Sequence, residues 1–129
     1  MRDLMGTTAA GLSRGGAWTL VGLRLALACF FVFVAARNLA GDAQMAADFQ
    51  RWGYPTWFRP VVALMQAAGA LLLVWSGTAP YGAALLTVVM VGAVSTHLLH
   101  DPPVSALVPL VFLATVVVVV VMYRPAALR

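Results

Sequence analysis

Apolar residues run along this chain in four long blocks, separated by short polar or turn-forming stretches. The blocks cover roughly residues 17–40, 60–76, 81–99 and 103–123. Each is close to the length of about 20 residues that an α-helix needs to cross a bilayer. The pattern therefore predicts an all-α, integral membrane bundle of four transmembrane helices joined by short connections.

A shorter segment, residues 42–52, lies between the first two blocks and has a different pattern. Asp42 is a favourable N-cap, and Gly53 ends the segment. Apolar residues recur at helical spacing between these limits, at Met45, Phe49 and Trp52. The segment is predicted to be a short amphipathic helix lying in the membrane interface, with an extracytoplasmic loop that contains a helical turn as the alternative.

The composition agrees with a membrane location. Of the 129 residues, 63% are hydrophobic and 9% are charged, and the mean hydropathy is +0.94. Soluble domains are usually about half apolar and about a quarter charged. The length allows one small domain, so we expect a flexible N-terminal tail at residues 1–16 and a single four-helix membrane domain at residues 17–129.

The charged residues and the cysteine count exclude several classes of function. All eight basic residues are Arg, all four acidic residues are Asp, and the net charge is +4. A small, dispersed positive charge is typical of topology signals and lipid headgroup contact, and it does not predict nucleic-acid binding. Cys29 is the only cysteine, so this chain alone cannot form an internal disulfide or a Cys-x-x-Cys redox pair.

The positions of the arginines give a weak topology signal. Four spans place both termini on one side of the membrane, with four arginines on that side and three on the other: Arg2, Arg14, Arg124 and Arg129 against Arg37, Arg51 and Arg59. The positive-inside rule then favours cytoplasmic termini. We expect a multi-pass protein of the plasma (inner) membrane.

Polar side chains within the apolar blocks mark a candidate site. The alternating helix directions bring Asn38, Gln66 and His97 to similar depths in the outer half of the bundle, and Asp101 follows at the end of the third block. Polar residues inside a membrane are costly and often functional. The alternative is that the amides only form hydrogen bonds between helices.

His97 and Asp101 are four residues apart, so the carboxylate could orient the imidazole through a hydrogen bond. Asp101 could equally serve only to end the helix. His97 and His100, three residues apart at a helix end, are weak support for a metal, and no second axial ligand for haem lies at matching depth. No metal site is predicted.

Arg24 lies inside the first block and belongs to a stripe along one helix face. The stripe is polar at both ends and apolar between them, and it consists of Arg24, Ala28, Phe31, Ala35 and Asn38. Residues at this spacing share one side of a helix, so the stripe is predicted to face other helices. The Arg24 guanidinium either reaches a lipid phosphate or contacts an anion or a quinone headgroup.

Several stretches of this sequence resemble the DoxX-like family of small four-helix membrane proteins. The resemblance covers about Leu23 to Tyr123. The stretches are Arg24, FVAARNLAG at 33–41, FQRWGYP at 49–55, GALLL at 69–73, and Thr96-His97 followed by Asp101-Pro102. The family commonly has a lysine at the position of Asn38 and a glutamate at that of Gln66, so this chain lacks two of the family's charges.

The resemblance implies a function close to membrane redox chemistry. Some relatives are subunits of quinone-linked sulfur oxidation, others associate with redox or detoxification partners, and animal relatives act in receptor assembly. We therefore expect a non-catalytic membrane subunit of a redox complex, rather than a stand-alone enzyme, with a quinone or lipid-like ligand between its helices. The predicted ligand-binding residues are Asn38, Gln66, His97 and Asp101, and Arg24 is the predicted anion or headgroup contact.

Two other classes of function were weighed against this one. A non-catalytic adaptor or assembly factor that binds a protein partner is the main alternative. A small multidrug exporter is disfavoured, because such transporters need a glutamate within the membrane and this chain has no Glu. The sequence predicts no cofactor other than a quinone, and it leaves homo-oligomerisation open.

Overall fold

The computed structural model describes residues 14–123, and within this range it contains helices and no strand. The helices are α1 Arg14–Leu39, α2 Ala43–Arg51, α3 Phe58–Leu72, α4 Ala79–His100 and α5 Leu107–Tyr123, with a 3-10 helix at Pro103–Ala106 before α5. The predicted all-α fold is confirmed. Residues 1–13 of the predicted tail lie outside the described residues, and residues 14–16 already belong to α1.

Three segments of the described chain are long and apolar enough to cross a membrane. They are α1, α4 and the segment Pro103–Met122, which contains most of α5. α3 is apolar but has only 15 residues. It ends at Leu72, short of the predicted 76, because the chain turns there and the Thr78 hydroxyl donates a hydrogen bond of 2.7 Å to the Leu72 carbonyl oxygen.

The four longer helices pack side by side in chain order, with α1 against α3, α3 against α4, and α4 against α5. α1 meets α5 through aromatic rings, since Phe30 stacks on Phe112 with 4.1 Å between ring centroids and Phe31 meets Phe112 edge to face. All five residues of the stripe from Arg24 to Asn38 are buried. The stripe therefore faces the other helices, as its spacing predicts.

α2 lies at one end of the bundle, which we call the α2 end. Asp42 caps the helix, because its Oδ2 accepts a hydrogen bond of 3.1 Å from the Met45 amide. Gly41 and Gly53, with φ of 78° and 85°, make the turns on either side of α2. Non-glycine residues rarely adopt this left-handed backbone conformation. The two turns fold α2 back over the bundle.

A close approach of two backbones joins α3 to α4. A Cβ atom placed on Gly82 would lie 2.5 Å from the Gly69 carbonyl oxygen and 2.8 Å from the Leu72 Cβ atom. Both distances are shorter than any ordinary van der Waals contact. Small residues at such positions let membrane helices come together over a large contact area.

Replacing Gly82 with alanine should therefore lower the thermal stability of the protein. The added methyl group meets backbone atoms, which can yield only if the two helices separate, and overpacking of this kind typically costs about 1–3 kcal/mol. Gly92→Ala, on the same helix, is the matched control, because a Cβ atom there meets nothing within 4 Å. Thermal unfolding in one detergent compares the two variants, and equal midpoints would contradict the proposed backbone contact.

Candidate functional site

A cavity of about 560 Å³ lies at the α2 end of the bundle. Its walls come from α1, α3 and α4, and it is covered by α2 and the loop that follows α2. Most lining side chains are apolar or aromatic, among them Val34, Phe49, Phe58, Met65 and Val89. Ligand sites in proteins are usually apolar cavities of about 300–1,000 Å³ that contain a few well-placed polar groups. This cavity has that size and character.

An amide pair forms one polar part of the cavity wall. Asn38 Nδ2 donates a hydrogen bond of 3.4 Å to Gln66 Oε1, and the two residues are 4% and 6% exposed. The Arg59 guanidinium donates to the backbone carbonyl of Asn38, which further ties α3 to α1. Asn38 Oδ1 is buried and has no hydrogen-bond partner. A buried acceptor without a partner costs about 1–3 kcal/mol.

A second polar group is centred on Asp101, directly after α4. Its Oδ2 lies 2.8 Å from His97 Nδ1 and accepts a hydrogen bond of 3.2 Å from Trp52 Nε1. Its Oδ1 accepts a hydrogen bond of 2.5 Å from Arg51 Nη1. One carboxylate thus connects α2 to α4 and also orients an imidazole that lines the cavity.

The environment of Asp101 favours its ionised form. The hydrogen bond from Arg51 is the main cause that holds the pKa of Asp101 below its usual value, and the hydrogen bonds from His97 and Trp52 act in the same direction. Partial burial opposes them. The same contact with Asp101 raises the pKa of Arg51. The pair is therefore ionised across the physiological range.

A third polar contact joins the loop after α2 to α4. The Tyr54 hydroxyl lies 2.5 Å from Thr96 Oγ1, and Thr96 Oγ1 itself donates to the Gly92 carbonyl oxygen at 2.8 Å. Because a hydroxyl has only one proton, Tyr54 must be the donor in the first of these bonds. Tyr54 and Thr96 both line the cavity.

Arg24 lies away from this site. Its side chain is fully buried, and Nη2 donates a hydrogen bond of 3.2 Å to the Val74 carbonyl oxygen, just beyond the end of α3. A cation is favourable beside the C-terminal end of a helix. The structure thus brings Asn38, Gln66 and His97 to one cavity with Asp101 behind His97, whereas an anion or headgroup contact at Arg24 stays a prediction.

Tyr54 and Thr96 are site residues that the sequence pattern does not predict. The signals were a tyrosine directly after the turn at Gly53 and a threonine directly before His97. Trp52 was noted only as part of the predicted amphipathic helix, yet its indole bonds to Asp101 and its ring lines the cavity. Within residues 14–123, no three His, Cys, Asp or Glu side chains are grouped so that they could hold a metal ion.

Removing the Tyr54 hydroxyl should destabilise the α2 end. Tyr54→Phe deletes the hydrogen bond to Thr96, and we expect a loss of about 0.5–1.5 kcal/mol in the free energy of unfolding. Tyr81→Phe is the control, because Tyr81 is 59% exposed. Thermal unfolding is the measurement, and the same small effect in both variants would show that the Tyr54–Thr96 contact contributes nothing.

Lowering the pH should destabilise the folded protein, because the Asp101 carboxylate becomes protonated. Its carboxylate protonates at the usual value of 3.8 when unfolded but at a lower pH when folded. The stabilisation by its charged contacts is therefore complete above the unfolded value and is lost as the pH falls through the folded value. Asp42, whose pKa is lowered chiefly by Arg37, adds to the loss in the same window.

The measurement is the unfolding midpoint between about pH 6 and about pH 3. We expect the wild-type midpoint to fall steeply below about pH 4. Arg51→Gln should start from a lower midpoint and fall less, because it removes the main cause of the lowered pKa. Parallel curves for the two proteins would refute this role of the Arg51–Asp101 pair.

The model of the DoxX-like family matches residues 22–119. The matched range contains α2, α3 and α4, most of α1 and α5, and every residue that lines the cavity. No curated protein and no solved structure matches the chain. The match covers most of the sequence and agrees with the apolar helices: the chain is a membrane protein that belongs to the DoxX-like family.

Proposed function

We propose that the chain crosses the membrane four times, with α3 as the additional span. At about 1.5 Å per residue, α3 is about 22 Å long, shorter than the hydrocarbon core of about 30 Å. The apolar sequence continues through the turn as far as Trp75, and α3 packs against both α1 and α4. Four spans put both termini on one side, and the arginine bias favours the cytoplasmic side; the proposed location is the plasma (inner) membrane.

The proposed function of this four-span bundle is to bind a quinone or lipid-like ligand at the α2 end. The observation that carries this proposal is the cavity itself, with apolar walls and a buried, unpartnered acceptor on Asn38. An amphiphile matches both features, because its body fills the apolar volume and its head meets the polar groups. Asn38, Gln66 and His97 would contact the head, and Asp101 would position His97.

Access from the bilayer supports this class of ligand. Val88 lines the cavity and is also 62% exposed on the surface of α4. The cavity therefore extends to a part of the bundle that faces lipid when α4 spans the membrane. A ligand dissolved in the bilayer can enter there without crossing water. A fully aqueous ligand would gain nothing from such an opening.

We further propose that the chain acts as a non-catalytic subunit of a membrane redox complex. The family resemblance supports this step, since some relatives are subunits of quinone-linked systems. The amide pair of Asn38 and Gln66 stands where the family commonly has lysine and glutamate. A neutral pair suits an uncharged head group, and quinones and many lipid alcohols have one.

Filling the cavity tests the binding proposal. Ala93 lines the cavity, and Ala93→Phe should occupy much of its volume. Ala84→Phe is the matched control, because Ala84 is exposed on the same helix. Each protein is purified in mild detergent, and the bound small molecules are identified by mass spectrometry. We expect wild type and Ala84→Phe to retain a quinone or lipid-like species. Ala93→Phe should retain about ten-fold less of it, or lower still.

Equal amounts of the species in all three proteins would contradict binding in this cavity. A protein partner that co-purifies with all three, without any retained ligand, would favour the alternative function of an adaptor or assembly factor. A redox protein that co-purifies together with the ligand would support membership of a redox complex.

A further inference from the structure

The hydrogen bond between His97 and Asp101 decides which nitrogen of this cavity-lining imidazole is an acceptor. Ionised Asp101 has no proton to give, so His97 Nδ1 must carry one and donate it. A neutral imidazole has a single N–H, and Nε2 is then a bare acceptor. Within the described chain no group donates to Nε2. The Trp52 ring, edge-on with 5.3 Å between ring centroids, holds the imidazole in place.

Tyr54 offers a second acceptor. Its one proton is used in the bond to Thr96, because the Thr96 proton goes to the Gly92 carbonyl. The lone pairs of the Tyr54 oxygen remain, and Tyr54 is a lining residue. His97 and Tyr54 present acceptors whichever way round the neighbouring amides are oriented.

The amide pair of Asn38 and Gln66 adds one more acceptor and a donor to the cavity wall. Gln66 Oε1 already accepts from Asn38, and Asn38 Oδ1 is a buried acceptor without a partner. The Gln66 amide nitrogen is left as a donor, with no acceptor among the described residues. A carbonyl oxygen can only accept, so it could pair with Gln66 but would leave Asn38 Oδ1 and His97 Nε2 unsatisfied. A hydroxyl group has one proton, so it can accept from Gln66 and donate to one of these two acceptors.

We propose that the ligand of this cavity has a hydroxyl head group, so that the site selects phenols and related hydroxylated amphiphiles over analogues whose head oxygen can only accept. This proposal rests on the proposed binding function and narrows its ligand class, because a quinol or a lipid alcohol has the required hydroxyl group and a quinone does not. Sites built to bond a hydroxyl group reject analogues that lack it, because the buried polar groups of the site are then unpaired.

The test compares two probes with the same tail and the same head oxygen, which carries a proton in one probe and a methyl group in the other. 4-Nonylphenol and its methyl ether, 4-nonylanisole, are titrated by calorimetry into the full chain in lipid nanodiscs. We expect the phenol to bind about ten-fold tighter or more. His97→Leu should bring the two affinities close together. His100→Leu, with an exposed histidine outside the cavity lining, should leave the preference unchanged and is the matched control.

Asp101→Asn gives a second, independent readout. An asparagine amide can donate to His97 Nδ1, which moves the imidazole proton to Nε2 and converts the acceptor in the cavity into a donor. The preference should then move toward the ether. If Asp101 has only a structural role, the substitution should lower the affinity for both probes equally. That equal weakening would overturn the assignment of His97 as the selecting acceptor.

The Ala93→Phe variant distinguishes failure of the binding proposal from failure of the proposed selection for a hydroxyl group. If it weakens both probes but wild type binds them equally, the cavity binds amphiphiles and selection of a hydroxyl group is wrong. If Ala93→Phe changes neither affinity, the cavity is not the binding site, and both proposals fail. A phenol preference that disappears in His97→Leu and persists in His100→Leu supports them together.

Discussion

A polar group inside a bilayer must find its partner within the protein, because lipid offers no hydrogen bonds. Most of the polar groups of this chain obey that constraint through specific contacts. The buried Arg24 binds the Val74 carbonyl, and the hydroxyl of Thr78 serves the end of α3. Asn38 and Gln66 form a hydrogen bond with each other, but Asn38 Oδ1 has no hydrogen-bond partner. The unpartnered oxygen belongs to a residue that lines the cavity, so the candidate site lies where this constraint is not fully met.

Asp101 contacts both α2, which covers the cavity, and His97, which lines it. Through Arg51 and Trp52 its carboxylate holds the end of α2 against α4, and through His97 it fixes the proton of a lining side chain. A ligand that changes the hydrogen bonding of His97 therefore also acts on the contact that keeps α2 in place. Binding at the proposed site would therefore be linked, through a single carboxylate, to the contact that holds α2 against α4.

Much of the fold could be predicted from the sequence, because it depends on local patterns. The four apolar blocks, the cap at Asp42 and the stripe from Arg24 to Asn38 follow from spacing alone, and helix direction placed Asn38, Gln66 and His97 at similar depths. Contacts between distant residues could not be predicted in this way. Tyr54 and Thr96 are 42 residues apart, and no periodic signal joins them. The early end of α3 is likewise a tertiary effect, since apolar sequence continues beyond Leu72 and the turn is fixed by the Thr78 hydroxyl.

The contact between Gly69 and Gly82 also has a consequence for how the protein is made. α3 is short and contains Gln66, so it is a poor segment for independent insertion during synthesis. α4 follows after a short turn, and its backbone touches α3 at the two glycines. If α3 spans the membrane as proposed, this contact favours its insertion together with α4 as a helical hairpin. Because α1, α3 and α4 all line the cavity, its walls are complete only when this pair of helices has packed against α1.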